Sequence, residues 1–223
     1  MQTFRSFDIM GPRMIGPSSS HTAGAARLAH VAWQIAGRDV KSAALILYGS
    51  FAKTGSGHGT DKALLAGVLG LSPEDERLRY SRLLAQEAGI EYTFEFCDEA
   101  PQDYANMARI IITGHDGHIT NVLGASIGGG NILVTQINGL EVAFTGEYPT
   151  LIVSHRDTPG MISAVTGLLA QKGVNIAGMR VYRDGRGLKA YMVIETDARI
   201  DDETLKEIQH MQNVNRICSV SNE

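Results

Sequence analysis

The sequence is poor in cysteine, in long apolar runs and in basic charge. Its two cysteines, Cys97 and Cys218, are too few for a disulfide framework and too far apart for a C-x-x-C site. We expect buried thiols in a reducing cytosol, with a single disulfide as the alternative. No stretch approaches the ~18 consecutive apolar residues of a membrane span, and residues 1–13 carry charges where a signal peptide is apolar. The net charge of −4, without a basic stripe, argues against a nucleic-acid partner.

The sequence does contain enough apolar residues for a packed core. Hydrophobic residues make up 43% of the 223 residues and charged ones 20%, which predicts a soluble, cytoplasmic globular protein with no membrane contact. Acidic residues outnumber basic ones before Pro149, and the two are balanced after it. The connector Gly146-Glu147-Tyr148-Pro149 therefore divides the chain into predicted domains at 1–148 and 149–223.

The first half has helices early and strands late. Apolar residues at helical spacing predict a helix that starts after Ser18-Ser19-Ser20 and stops at Gly37. A strand (43–48), a glycine-rich loop (49–60), a helix (61–69) and a second helix from Ser72 to Ala88 follow. Later strands are predicted at 92–96, 109–113, 119–123, 132–137 and 141–145, with hairpin turns at Asp116-Gly117 and Asn138-Gly139. This order predicts an α+β domain.

The second half has the order β-α-β-β-α-β of a ferredoxin-like domain. The predicted strands are 151–154, 176–183, 188–196 and 214–220, and the predicted helices are 161–171 and 202–211.

The segment Gly16 to Thr22 places three serines and His21 before a helix N-terminus. The unpaired N–H groups and the dipole at such an end attract anions, so the segment is a candidate pocket for a carboxylate or phosphate. The alternative is one serine cap with exposed polar neighbours.

The segment Gly49 to Asp61 connects a buried strand to a helix, where α/β proteins commonly bind ligands. It matches neither a P-loop nor a dinucleotide fingerprint. His58 lies among its glycines and titrates near neutral pH, as a general base must, although a flexible loop with an incidental histidine is the alternative. The glycines of Ser126 to Asn131 need only form a hairpin turn. His155 ends a strand and faces a helix N-terminus, which makes it a candidate small-ligand site.

The motifs IGPSSSHTAGAAR, LYGSFAKTGSGHGTDKA and SIGGG resemble the β chain of iron–sulfur-dependent L-serine dehydratases. LIVSHRDTPGMI and GVNIAGMRVYR resemble an ACT domain, a small-molecule-sensing module. The resemblance implies an allosteric-substrate-binding-type α+β domain followed by a ferredoxin-like ACT domain. It also implies a partner α subunit whose thiolates hold a [4Fe–4S] cluster, with no metal ligand in this chain. In such enzymes an open iron takes the hydroxyl of L-serine, a base removes the Cα proton, and the product hydrolyses to pyruvate and ammonia.

The resemblance also implies roles for individual residues. His58 would be the active-site base or substrate orienter. Other residues would hold the loop and the charged groups of the substrate: Lys53, Thr54, Thr60 and Asp61. The carboxylate would bind at Ser18, Ser19, Ser20 and His21, either in the active site or in a regulatory one. The family often has lysine where this chain has Ser56, so the site here is less cationic or uses Lys53 instead.

In the ACT half the resemblance places an amino acid at the strand-to-helix turn, between two domains of a dimer. The residues implied are His155, Asp157 and Gly160, with Asn175 facing them from the second copy. L-serine or a monovalent cation is the expected regulatory input, and an ACT domain that serves only dimerisation is the alternative.

Two other functions remain open on the sequence. One is a non-catalytic regulatory protein that senses an amino acid, although a pure sensor has no need of the glycine-rich loop with His58. The other is a phosphate- or nucleotide-binding protein that uses Ser18–Ser20, against which the failed P-loop and dinucleotide patterns argue.

Overall fold

The chain forms two units, which comprise residues 1–136 and 137–223. The structure, a computed structural model, describes residues 18–54, 57 and 59–221. Among these residues, no helix is long and apolar enough to cross a membrane.

Unit 1 combines short helices with a mainly antiparallel sheet. A π-helical segment, Ser19–Gly24, leads directly into the first α-helix, and a 3-10 segment, Glu76–Tyr80, precedes the fourth. The α-helices are α1 (Ala25–Ile35), α2 (Ser50–Thr54), α3 (Thr60–Val68) and α4 (Ser81–Glu87). The strands are β1 (Ser42–Gly49), β2 (Glu91–Cys97), β3 (Asn106–Thr113), β4 (Ile119–Gly128) and β5 (Asn131–Ile137). Their order across the sheet is β2-β1-β3-β4-β5, and β2 runs parallel to β1.

Alternation along β1 gives the sheet its buried face. Ala43, Leu45 and Leu47 are buried, while the residues between them are partly exposed, as a strand of period two requires. Helices α1 and α3 pack closely at Gly67, where a Cβ would lie 2.3 Å from the carbonyl oxygen of Ala26. Only glycine permits this approach of the two helices.

Two predicted elements of unit 1 differ from the structure. Ser72 does not start a helix, because the cap forms at Asp75, whose carboxylate accepts the Arg77 N–H at 2.9 Å. The chain therefore turns at 72–75, and α4 begins only at Ser81. The predicted loop 49–60 is also partly wrong, since Ser50–Thr54 forms α2.

The predicted turns and the first helix stop are confirmed. Gly129 and Gly130 have φ values of +62° and +81° and join β4 to β5 in a tight turn. Gly117, at +80°, turns the chain between β3 and β4. Gly37, at +85°, follows α1 as a left-handed helix stop.

Unit 2 has the predicted β-α-β-β-α-β order. After β6 (Leu140–Phe144) come β7 (Thr150–Arg156), α5 (Met161–Gln171), β8 (Ile176–Arg183), β9 (Lys189–Thr196), α6 (Asp202–Gln209) and β10 (Val214–Val220). Strands β7 to β10 form an antiparallel sheet in the order β10-β7-β9-β8. One face of this sheet and the two helices share a core that includes Val153, Val165, Met192 and Ile208.

The division between the units falls before the sequence-predicted boundary at 148/149. Residues 137–148 make side-chain contacts within unit 2. The Ala143 N–H donates to the Tyr182 hydroxyl at 3.0 Å, and that hydroxyl donates to the Ala143 carbonyl at 3.2 Å. The Asn138 amide donates to the Tyr191 hydroxyl at 3.1 Å.

Candidate functional site

In unit 1 a histidine joins the serine-rich segment to α2. The Ser18 Oγ accepts the backbone N–H of His21 at 3.1 Å and caps the helical run. The same hydroxyl lies 3.3 Å from the His21 Nδ1, while the His21 Nε2 lies 3.0 Å from the Ser50 Oγ. The Phe51 ring meets the imidazole edge-on at 5.5 Å between centroids. The first two sequence motifs thus meet at His21.

The serine-rich segment also packs on the third motif. A Cβ on Gly24 would lie 2.1 Å from the Ser126 Oγ, so the π-helical segment approaches β4 as closely as glycine allows. The Ser126 hydroxyl is buried and has no hydrogen-bond partner within the described part of the chain. The three motifs therefore lie together in one region of unit 1.

The other predicted binding residues lie around this histidine in different environments. Ser19 and Ser20 are the first residues of the π-helical segment and are partly exposed. Lys53 is exposed in the last turn of α2. The Thr54 hydroxyl donates to the Ser50 carbonyl at 2.7 Å, which braces that same short helix.

Thr60 and Asp61 start α3 and are buried. One carboxylate oxygen of Asp61 accepts from the Arg82 guanidinium at 2.6 Å. The other oxygen of Asp61, like the Thr60 hydroxyl, is buried without a partner among the described residues. The Asp61 carboxylate is thus directed toward α4, and the side chain to which it is hydrogen-bonded is Arg82 rather than His21.

His58, predicted as the base, lies outside the described residues, together with Gly55 and Ser56. The residues on either side are described, and Gly59 adopts a left-handed φ of +70° just before α3. The structure therefore gives the position where the chain enters α3, and the role of His58 stays a prediction.

Sequence reasoning missed Ser50, Ser126 and Arg82 as members of this region. Ser50 and Ser126 lie within two of the family-like motifs, but each is one polar residue among several there. Arg82 stands on an exposed helix with no motif around it. Hydrogen-bond partners this far apart in sequence leave no local pattern.

In unit 2 a pocket of about 310 Å³ lies where β7 passes into α5, and its lining includes His155, Asp157, Gly160, Arg183 and Arg186. The volume suits a small molecule such as an amino acid. Gly160, with φ of +88°, precedes the helix, whose first turn holds no acidic residue. The first turn of α5 therefore places no carboxylate on the positive end of its dipole, and the Asp157 carboxylate in the lining is paired with Arg183.

His155 lines the pocket, and a hydrogen bond to the backbone fixes the orientation of its ring. Its Nδ1 donates to the Arg156 carbonyl at 2.8 Å, so this nitrogen carries the proton in the neutral ring. The residue is only 2% exposed, and its Nε2 has no partner among the described residues. A ligand that offers a hydrogen-bond donor would satisfy this nitrogen.

Asp157 and Asn175 have other partners. The Asp157 carboxylate accepts from Arg183 and from the Gly187 N–H, both at 3.3 Å, and so ties the β8–β9 hairpin to the pocket. Asn175 donates to Asp197 at 2.6 Å and is not among the residues that line the pocket. Within one chain the structure therefore brings His155, Asp157 and Gly160 together but leaves Asn175 apart.

The residues of this chain do not fit an iron–sulfur cluster. Cys97 ends β2 in unit 1, and Cys218 lies in β10 in unit 2. Burial raises the pKa of the Cys218 thiol to about 12, and desolvation and the Glu95 carboxylate raise the pKa of Cys97. Clusters are held by thiolates, and raised pKa values favour the thiol. In the described ranges, no group of three His, Cys, Asp or Glu residues is placed to hold a metal ion.

The fold defines a two-unit α+β protein whose second unit has the β-α-β-β-α-β architecture of a ferredoxin-like domain and carries a small pocket. The ACT domain family model matches residues 149–209, and the serine dehydratase beta chain family model matches residues 7–118.

Two relatives match along almost their whole length. The probable L-serine dehydratase, beta chain, of Bacillus subtilis is 41% identical over 215 residues, which cover 96% of this chain and 97% of the relative. The L-serine dehydratase, beta chain, of Peptoniphilus asaccharolyticus is 38% identical over 88% of this chain and 89% of its own. The chain belongs to the serine dehydratase beta chain family and carries a C-terminal ACT domain.

Proposed function

We propose that this chain is the β subunit of an iron–sulfur L-serine dehydratase, a carbon–nitrogen lyase that converts L-serine to pyruvate and ammonia. The observation that carries the proposal is the 41% identity to a probable L-serine dehydratase beta chain over nearly the full length of both proteins. In this proposal a partner α subunit supplies the [4Fe–4S] cluster, and this chain alone is inactive. The separation of Cys97 and Cys218 by 121 positions in the sequence and the raised pKa values of both thiols support that division.

In the proposed reaction, the role of this chain is to bind L-serine and to transfer one proton. Loss of water from L-serine needs a base at Cα, and His58 is the candidate for that base. The substrate carboxylate would bind at the N-terminal end of the helical run that starts at Ser19, where no acidic residue occupies the first turn. Ser18 and His21 form the ordered polar surface there.

The exposed ammonium of Lys53 would add positive charge near the same surface. Asp61, held by Arg82, would fix the start of α3 and with it the end of the loop that carries His58. In this arrangement Asp61 supports the loop and does not contact the substrate.

The test is anaerobic co-expression with a cluster-bearing α chain, followed by a pyruvate assay on L-serine. We expect this chain alone to be colourless and inactive, and the complex to be active. His58→Ala should lower turnover by more than tenfold with the cluster intact, because the Cα proton then has no base. His210→Ala, at the exposed end of α6, is the matched control.

Three results would count against this proposal. A brown, active preparation of this chain alone would contradict the division of labour. Turnover of the His58→Ala complex within tenfold of wild type would remove His58 from the mechanism. Binding of L-serine without activity in any complex would favour the alternative, a regulatory protein that only senses an amino acid.

The ACT domain is proposed to sense L-serine in the pocket at His155. The buried, unpartnered Nε2 and the start of α5 suit the donor and carboxylate groups of an amino acid. A monovalent cation is the second proposed input, and we propose that the chain dimerises through this domain.

We expect L-serine to raise the unfolding temperature of the isolated chain. At a hundredfold excess over its dissociation constant, a ligand stabilises by about 2.7 kcal/mol. His155→Ala should remove most of this shift, whereas His210→Ala should keep it. A full shift in His155→Ala, measured by calorimetry, would place serine elsewhere, and repeating the scan with and without K⁺ tests the cation.

A further inference from the structure

Ser50, the first residue of α2, holds the imidazole of His21 from the side opposite Ser18. Its Oγ lies 3.0 Å from Nε2, and the Ser18 Oγ lies 3.3 Å from Nδ1. A neutral imidazole has one donor and one acceptor nitrogen, so one of the two serine hydroxyls must donate to the ring and the other must accept. Each hydroxyl can play either part, so the two serines hold the ring in place by both nitrogens without selecting its tautomer.

The backbone holds Ser50 rigidly in this position. Its N–H donates to the Ala105 carbonyl at 2.8 Å, and its own carbonyl accepts from the Thr54 hydroxyl at 2.7 Å. Gly49, with φ of +55°, makes the bend from β1, and a Cβ there would lie 2.8 Å from the Ala105 oxygen. The hydroxyl of Ser50 is therefore presented from a fixed point.

The ring itself is packed as well as hydrogen-bonded. Phe51, the residue after Ser50, is fully buried and meets the imidazole edge-on. Two consecutive residues of α2 therefore fix His21, one through its nitrogen and one through its ring. The partners His21 and Ser50 are 29 positions apart in the sequence.

We infer that Ser50 is a positioning residue for L-serine turnover, which holds the His21 ring in the orientation that binds the substrate. The inference rests on the proposed function, since it assumes that the Ser18–His21 surface binds the substrate carboxylate. Ser50 acts through His21 and does not itself touch the substrate.

The test compares Ser50→Ala and Ser50→Thr with wild type. Imidazole ¹⁵N NMR on the full-length chain reports the hydrogen bonding of the two ring nitrogens of His21, with the signals assigned by their loss in His21→Gln. Steady-state kinetics of the complex with the α chain reports KM and kcat separately. Ser42→Ala, at the opposite end of β1, is the matched control, and thermal unfolding shows that each variant is folded.

In Ser50→Ala we expect the Nε2 shift of His21 to change more than the Nδ1 shift, because Nε2 loses its serine partner whereas Nδ1 keeps Ser18. We expect kcat/KM for L-serine to fall roughly ten- to hundredfold, mostly through KM, because a binding group is displaced. Ser50→Thr keeps the hydroxyl and should restore both properties, and Ser42→Ala should match wild type.

Unchanged His21 shifts in Ser50→Ala would overturn the inference, and so would changed shifts with unchanged kcat/KM. If wild type is inactive with every α chain, the proposed function fails. The NMR comparison then still decides whether Ser50 holds the Nε2 of His21.

Discussion

Asp201 caps α6 with a carboxylate that accepts two hydrogen bonds from one residue. The Thr204 N–H and the Thr204 hydroxyl each donate to it at 2.8 Å. The hydrogen bond from the Thr204 backbone is the main cause, and that from its side chain the second, of a pKa of the Asp201 carboxyl below its ordinary value. A lowered folded-state pKa means that the folded protein binds this proton less readily than the unfolded chain.

The cap should therefore contribute an acid-dependent part of the stability. Its contribution is complete above the ordinary aspartate pKa of about 3.9 and is lost as the pH falls through the lowered folded value. Asp201→Asn keeps a good capping side chain but does not titrate, so we expect near-normal stability at pH 7 and a shallower loss below about pH 4. Urea unfolding between pH 2 and pH 7 measures this. Asp202→Asn, which removes an equal charge and leaves the cap, should retain the steep acid limb.

The candidate site was only partly predictable at the scale of single residues. A serine before a helix predicts a cap, and Ser18 is one. The bond from His21 to Ser50 and that from Asp61 to Arg82 were not predictable, because each joins residues on separate elements. Their donors and acceptors meet only when the elements pack.

At the scale of elements, two helical glycines that look alike in the sequence have different surroundings. Gly67 in α3 lies against α1, and a Cβ there would meet backbone and side-chain atoms closer than 3 Å. Gly167 in α5 has nothing within 4 Å of the same position. Helix propensity treats both as unfavourable relative to alanine, so packing decides which substitution is tolerated.

Gly67→Ala should destabilise the protein by roughly 1–3 kcal/mol, because the added methyl forces α1 and α3 apart. Gly167→Ala should be neutral or stabilise by up to about 1 kcal/mol through helix propensity. Urea unfolding of both variants checks the pair. Equal effects would show that the α1–α3 approach is not as close as described.

The helix predicted from Ser72 shows how nearby local signals compete. Ser72 followed by Pro73 is a strong signal for the start of a helix. The Asp75 carboxylate, however, accepts hydrogen bonds from both the backbone N–H and the guanidinium of Arg77. A 3-10 segment forms after Asp75, and the α-helix is delayed to Ser81. Both caps were compatible with the sequence, and the stronger, charge-assisted one formed.

At the scale of the whole molecule, the boundary between the two units lies earlier in the structure than the sequence predicts. The sequence predicts 148/149 from a change in charge and a Gly–Pro connector. The structure groups residues 137–148 with the second unit, in which the Tyr182 hydroxyl bonds Ala143 and the Asn138 amide bonds the Tyr191 hydroxyl.

The fragment 137–223 should be more stable than 149–223 by roughly 1–3 kcal/mol, since the shorter one loses the partners of two tyrosine hydroxyls. Urea unfolding of the two fragments measures the difference. Tyr182→Phe in the longer fragment should reproduce part of the loss seen in the shorter one, because it removes the hydroxyl that bonds Ala143. Equal stability of the fragments would support a boundary at 148/149.

The sequence alone determined the α+β class, the β-α-β-β-α-β order, the first helix stop at Gly37, the hairpin turns and the family resemblance. These features depend on periodicity, on capping and on residues close together in the chain, so local patterns are sufficient to predict them. Only the tertiary structure decided that His21 lies between two serines, that Asp61 is directed to Arg82, and that His155 lines a pocket at α5. Such contacts depend on how separate elements pack, and no local pattern specifies that arrangement.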